Sequence, residues 1–127
     1  MSSIIALQGL NVDRRVELSL LIDLYGPLLT ERRQSALRLH CEEDMSYQEI
    51  AERLGISRQG VCDAVTSAIK QLERYETALG LMRRLLKTRA EAAACRRYLE
   101  MVEPTPETRG ALGAALAALG NIDGIEG

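Results

Sequence analysis

The chain is 127 residues long with a formal net charge of −2, and 46 % of it is hydrophobic, which suffices for one compact domain with a core of its own. It holds neither Phe nor Trp, so the core has to be built from Leu, Ile, Val, Ala and Met, a set that suits helices better than sheets. The acidic balance excludes a nucleic-acid binder held by global charge, because phosphate neutralisation supplies most non-specific affinity; any basic surface has to be local.

Residues 1–12 carry no helical period and no cap, and are expected to form a flexible tail. Met1–Leu10 lacks a basic start before a long apolar run, and no window approaches the ~18 apolar residues of a membrane span, so the reading is cytoplasmic with no membrane partner. A first helix begins near Asp13, with Val16, Leu20, Leu21, Leu24 and Tyr25 on its inner face, and Gly26-Pro27 stops it. Thr30 then caps a second helix whose inner side is Ala36, Leu37, Leu39 and His40, and whose end is acidic at Glu42, Glu43 and Asp44.

Ser46 and Glu49 form a capping box that starts a two-turn third helix, and Gly55 supplies the left-handed residue that ends it. Ser57 is the next N-cap, reached after a connection as short as a helix-turn-helix requires. Ile50, Ala51, Leu54, Ile56, Val61 and Val65 are the positions that lock the two helices together. The fourth helix runs on: Val61, Val65, Ala68, Leu72, Tyr75, Leu79, Met82 and Leu86 alternate at steps of four and three, an a/d seam that calls for a partner. Two partners fit, a neighbouring helix of the same chain or the same seam of a second copy in a homodimer. Gly80 is where such a helix would break.

A fifth helix is expected over residues 88–102, with Ala92, Cys95, Tyr98, Leu99 and Val102 inward, and Thr105-Pro106 opens an Ala-rich sixth. Asn121 onward has no period and two glycines. The organisation read from this is a flexible tail over 1–12, a helix-turn-helix domain with a long helix over 13–86, a helical extension over 87–119 and a disordered tail over 120–127. The fold class is all-α, with a DNA-binding-type helix-turn-helix core of the winged-helix-like or sigma region 4-like kind.

If such a unit reads DNA, the first turns of its second helix enter the major groove, which places Ser57, Arg58, Gln59, Asp63, Thr66 and Lys70 at bases and phosphates, with Cys62 also outward. Against this, residues 30–78 hold seven basic side chains and nine acidic ones, and Asp63 lies on the reading face. The cations gather further on, where Arg83, Arg84, Lys87, Arg89, Arg96 and Arg97 face Glu91 alone within residues 83–97. That basic patch suits an RNA or phosphate backbone, an acidic protein or a plain solvated surface.

Catalysis is not expected. The chain has a single histidine, no Gly-rich phosphate loop and no Ser/His/Asp set. His40 and Cys41 are neighbours in sequence, but adjacent side chains on a helix diverge by about 100°. The three cysteines are far apart and never form C-x-x-C, so they read as reduced thiols with no zinc site, and no cofactor is implied.

The stretch LYGPLLTERRQSALRLHCEEDMSYQEIAERLGISRQGVCDAVTSAIKQLERYE resembles the YlxM family of bacterial helix-turn-helix proteins and, less closely, region 4 of sigma factors. The run from Leu24 to Thr30, the run from Ile56 to Val61 followed by Asp63-Ala64, and Tyr75-Glu76 carry the likeness to YlxM. Residues 46–51 are shared with sigma-like proteins and are less specific. The resemblance covers about residues 13–86 and implies a small cytosolic regulatory protein linked to the signal recognition particle, with its components and DNA or RNA as candidate partners. Cys62 stands where that family usually has an aromatic residue, and the Ala/Gly-rich end departs from it.

Overall fold

The computed structural model describes residues 13–123. These form α1 (Arg14–Tyr25), a 3-10 turn (Gly26–Leu28), α2 (Glu31–Cys41), α3 (Tyr47–Leu54), α4 (Arg58–Leu79), α5 (Leu81–Glu100) and α6 (Arg109–Asp123). Among the described residues there is no strand, so no β-wing follows α4; the fold is all-α around a helix-turn-helix. The tail expected over residues 1–12 lies outside the described residues, as do residues 124–127. The chain divides into two compact units between Arg83 and Arg84, inside α5. None of the described helices is long and apolar enough to cross a membrane.

Each early helix starts on a side-chain oxygen that satisfies an otherwise orphaned N–H. The Asp13 carboxylate accepts from Val16 N at 3.0 Å, and the Thr30 hydroxyl accepts from Arg33 N at 3.3 Å. Before α3 the box is reciprocal: Glu49 N donates to Ser46 Oγ at 3.1 Å while Ser46 N donates to Glu49 Oε1 at 2.8 Å. That contact to Ser46 holds the Glu49 carboxyl below its ordinary range. Gly55 ends α3 at φ 70°, a left-handed conformation that a Cβ would disfavour, and Ser57 Oγ then accepts from Gly60 N at 2.9 Å to open α4.

In the first unit α4 packs against α1, α2 and α3. Its stripe of Val61, Ala64, Val65, Ala68 and Leu72 meets Leu21, Ile22, Tyr25, Ala36, Leu37, Ile50 and Ala51 in the buried core. The a/d seam is therefore covered within the chain up to Leu72, and this stretch is not free to face a second copy. The seam does not run on to Leu86 as one helix. Gly80 takes φ 65° and ends α4, Leu79 is 55 % exposed, and Met82 is buried in the first turn of α5. α1 is also turned from its expected phase: Val16 is exposed and Leu20 and Leu24 are half-buried, while Glu17 and Ile22 are buried with Leu21 and Tyr25. In α2, Leu39 and His40 are half-buried beside the fully buried Ala36 and Leu37.

In the second unit the differences are larger. α5 begins at Leu81 because Gly80 restarts the helix there, and of its expected inner set Ala92 is buried and Leu99 half-buried, whereas Cys95, Tyr98 and Val102 are exposed. The covered side carries Arg89, Ala92, Ala93, Arg96 and Leu99; arginine stems can cover apolar neighbours, and a count of apolar residues misses them. Thr105 Oγ1 accepts from Thr108 N at 3.2 Å, but this makes a turn, and α6 proper starts at Arg109. Residues 120–123, expected in the terminal tail, complete α6.

Candidate functional site

The three-residue connection Gly55–Ser57 sets the first turn of α4 beside α3, and the side chains singled out there are all in solvent: Ser57, Arg58, Gln59, Asp63, Thr66 and Lys70. At about 100° per residue, Gln59, Asp63, Thr66 and Lys70 recur at four-, three- and four-residue steps and share one line along the helix. None of them takes part in the core, which uses the opposite side of α4. The Ser57 hydroxyl has a structural duty as the cap. The Gln59 amide donates through Nε2 to Asp63 Oδ1 at 3.0 Å, so the acid on this face holds the Gln59 side chain in one orientation.

Arg58 lies off this line toward α3. It is close enough to Tyr47 for its charge to oppose the rise in that phenol, which is driven mainly by burial and then by the Cys62 and Cys41 thiols. Cys62, expected outward, is half-buried, because the flank of α4 that it shares with Arg58 faces Tyr47. The Tyr47 ring in turn meets His40 at a centroid distance of 4.8 Å. His40 Nδ1 is paired with the Met45 carbonyl at 3.1 Å, and burial beside Glu42 pushes the Cys41 thiol up. A thiol so protonated is a poor nucleophile.

The basic patch does not form one surface. Arg83, Arg84, Lys87 and Arg97 are exposed, whereas Arg89 and Arg96 are half-buried, and both lie roughly opposite Lys87 on α5 by the helical period.

Two carboxylates that stand outside the apolar stripes are buried. Glu76 is 3 % exposed and binds across the α4–α5 turn. It accepts from the Tyr25 hydroxyl at 2.8 Å, from Met82 N at 3.0 Å and from Arg83 N at 3.0 Å, while the same hydroxyl accepts from Leu81 N at 3.1 Å. The free N–H groups that open α5 are thereby satisfied, and a negative charge sits at the positive end of the helix. Burial and the Glu76 contact push the Tyr25 phenol up to about 12. Glu17, 1 % exposed, pairs with Arg14, whose guanidinium also reaches Glu73 at 3.0 Å. The signal was present in the period: Glu17 stands four residues before Leu21 and Glu76 four residues after Leu72, where an apolar residue would continue the stripe.

Comparison with known proteins finds a match over residues 12–94 to the UPF0122 family model, described as "Putative helix-turn-helix protein, YlxM / p13 like". A UPF0122 protein of Clostridium botulinum is 41 % identical over 76 residues, covering 60 % of this chain and 70 % of that protein. One from Acetivibrio thermocellus is 43 % identical over 81 residues, covering 64 % and 69 %. One from Desulforamulus reducens is 46 % identical over 66 residues, covering 52 % and 56 %.

Proposed function

Because the chain belongs to the UPF0122 family of YlxM/p13-like helix-turn-helix proteins, we propose that it is a non-catalytic cytoplasmic regulator that binds nucleic acid through the first turns of α4 and acts alongside the signal recognition particle. The observation that carries this reading is the exposed set Arg58, Gln59, Thr66 and Lys70, which the core does not use. In a helix-turn-helix these positions meet base edges and phosphates. Arg58 suits guanine, and Gln59, steadied by Asp63, suits adenine. The link to the signal recognition particle is supported by the family resemblance of the residues from Leu24 to Glu76.

A second reading is favoured by the excess of acids over bases in residues 30–78, which works against phosphate: a protein-interaction module that keeps the helix-turn-helix shape. Titration of the purified chain against signal recognition particle RNA and against random duplex DNA, at two salt concentrations, separates the two. Arg58→Ala is expected to weaken nucleic-acid binding by about 1–3 kcal/mol and leave the thermal midpoint unchanged. Equal binding by the variant and the parent would remove α4 as the reader and leave the protein-interaction reading.

A further inference from the structure

α5 presents a long uncovered face in the second unit. Measured from Lys87 at about 100° per residue, Arg84, Glu91 and Tyr98 all fall within about 60° of one direction on α5. Tyr98 is 71 % exposed, Met101 79 % and Val102 51 %, and Arg84, Lys87, Glu91 and Arg97 are exposed as well. α5 ends at Glu100 in a tighter turn, closed by bonds from Met101 N to Tyr98 O and from Val102 N to Leu99 O, both 3.1 Å. One end of the face is thus cationic and the other an aromatic ring, followed in the turn by two exposed apolar side chains, with Arg97 flanking the ring. Residues 95–102 lie beyond the stretch matched by the family model.

We propose that this face binds single-stranded nucleic acid, with an unpaired base stacked on Tyr98 and the adjoining phosphates held by Lys87 and Arg84 on one side and Arg97 on the other. Charge complementarity and the ring select this occupant. A polyanion explains the cations, but a duplex keeps its bases stacked inside and would leave Tyr98, Met101 and Val102 in water. A single strand offers both a phosphate chain and an exposed π-face, and base stacking on an aromatic side chain is tolerant of sequence. Lys87 and Tyr98 are separated along the helix by about 16 Å, a span that a few nucleotides bridge. Glu91 stands between them and opposes the strand at that point. The site is separate from the first turns of α4 and does not depend on their reading a duplex.

The test is a fluorescence-anisotropy titration of the full chain with a short labelled oligouridylate and with a blunt random duplex, each at two salt concentrations. Tyr98→Ala is expected to weaken oligouridylate binding roughly ten- to hundredfold and to leave duplex binding unchanged; Tyr98→Phe, which keeps the ring, restores most of the loss. Arg84→Ala with Lys87→Ala should flatten the salt dependence, and Glu91→Gln should tighten binding. The proposal is overturned if the parent does not bind the oligouridylate, or if Tyr98→Ala binds it as the parent does. It is equally overturned if Tyr98→Ala dissociates an oligomer in sedimentation while oligouridylate binding stays intact, since the face then belongs to a second copy. Loss of duplex binding in Arg58→Ala with normal oligouridylate binding would support both readings independently, and equal duplex binding with normal oligouridylate binding would remove the α4 reading alone.

Discussion

α4 and α5 are nearly equal in length, 22 and 20 residues, and they treat their apolar residues in opposite ways. In α4 the residues at steps of four and three, from Val61 to Leu72, are buried to the last atom or nearly so, because three helices converge on that side. In α5 and the turn after it the residues chosen by the same rule, Cys95, Tyr98 and Val102, stand in solvent. Apolar spacing therefore states which residues share a side of a helix; whether that side is covered depends on what else the chain brings to it. α4 is a structural axle with a narrow free line, and α5 is a surface element.

The sharpest way to break this comparison is to place a charge in each stripe. Leu72→Asp is expected to cost several kcal/mol in a denaturant titration, because an unpaired carboxylate would lie in apolar surroundings, whereas Tyr98→Asp should stay within about 0.5 kcal/mol of the parent. Equal losses would mean that α5 is covered after all. Next in size, Glu76→Ala removes the acceptor for the Tyr25 hydroxyl and for Met82 N and Arg83 N and should cost about 3 kcal/mol. Hydrogen exchange ought to localise the effect to the first-turn amides of α5, with Val61 to Leu72 protected as before.

A third test uses pH. The folded protein holds Tyr25 neutral up to about 12, while an unfolded chain ionises its tyrosines near 10. The stabilisation is therefore complete below pH 10 and is lost as pH rises toward 12, by about 2–3 kcal/mol in all. Tyr25→Phe should abolish this part of the alkaline slope, and a variant that loses stability over the same range as steeply as the parent would contradict the assignment. Smallest is the α3 cap: Ser46→Ala should lower the chain's stability by about 1 kcal/mol, read as a shift in the denaturant midpoint at constant slope.

What the sequence discloses best is where helices begin and end. Asp13, Thr30, Ser46 and Ser57 are caps with a local mechanism, and Gly55 and Gly80 are the left-handed stops that their positions suggest. The exposure of Arg58, Gln59, Asp63, Thr66 and Lys70 was legible for the same reason, since their neighbours at the core steps had already claimed the other side of α4. Glu76 was not, because a carboxylate reads as outward until its donors are known, and the Tyr25 hydroxyl is 51 positions away. The phase of α1 is hidden for the same reason: a buried Glu17 paired with Arg14 carries the stripe in place of Val16. In α5 the half-buried Arg89 and Arg96 split a basic cluster that looks continuous in one dimension.

The turn between α4 and α5 also constrains how this sequence can change over generations. A phenylalanine at position 25 would deprive Glu76 of a donor and Leu81 N of its acceptor, and a neutral aliphatic residue at 76 would leave the Tyr25 hydroxyl without an acceptor and two amides without a partner. Each single step crosses a less stable intermediate, while the double exchange removes two buried polar groups together and recovers part of the loss. Positions 25 and 76 are thus tied as one heritable unit: among descendants of such a chain they should either both persist or both be replaced, with a compensating cap for α5 arising nearby.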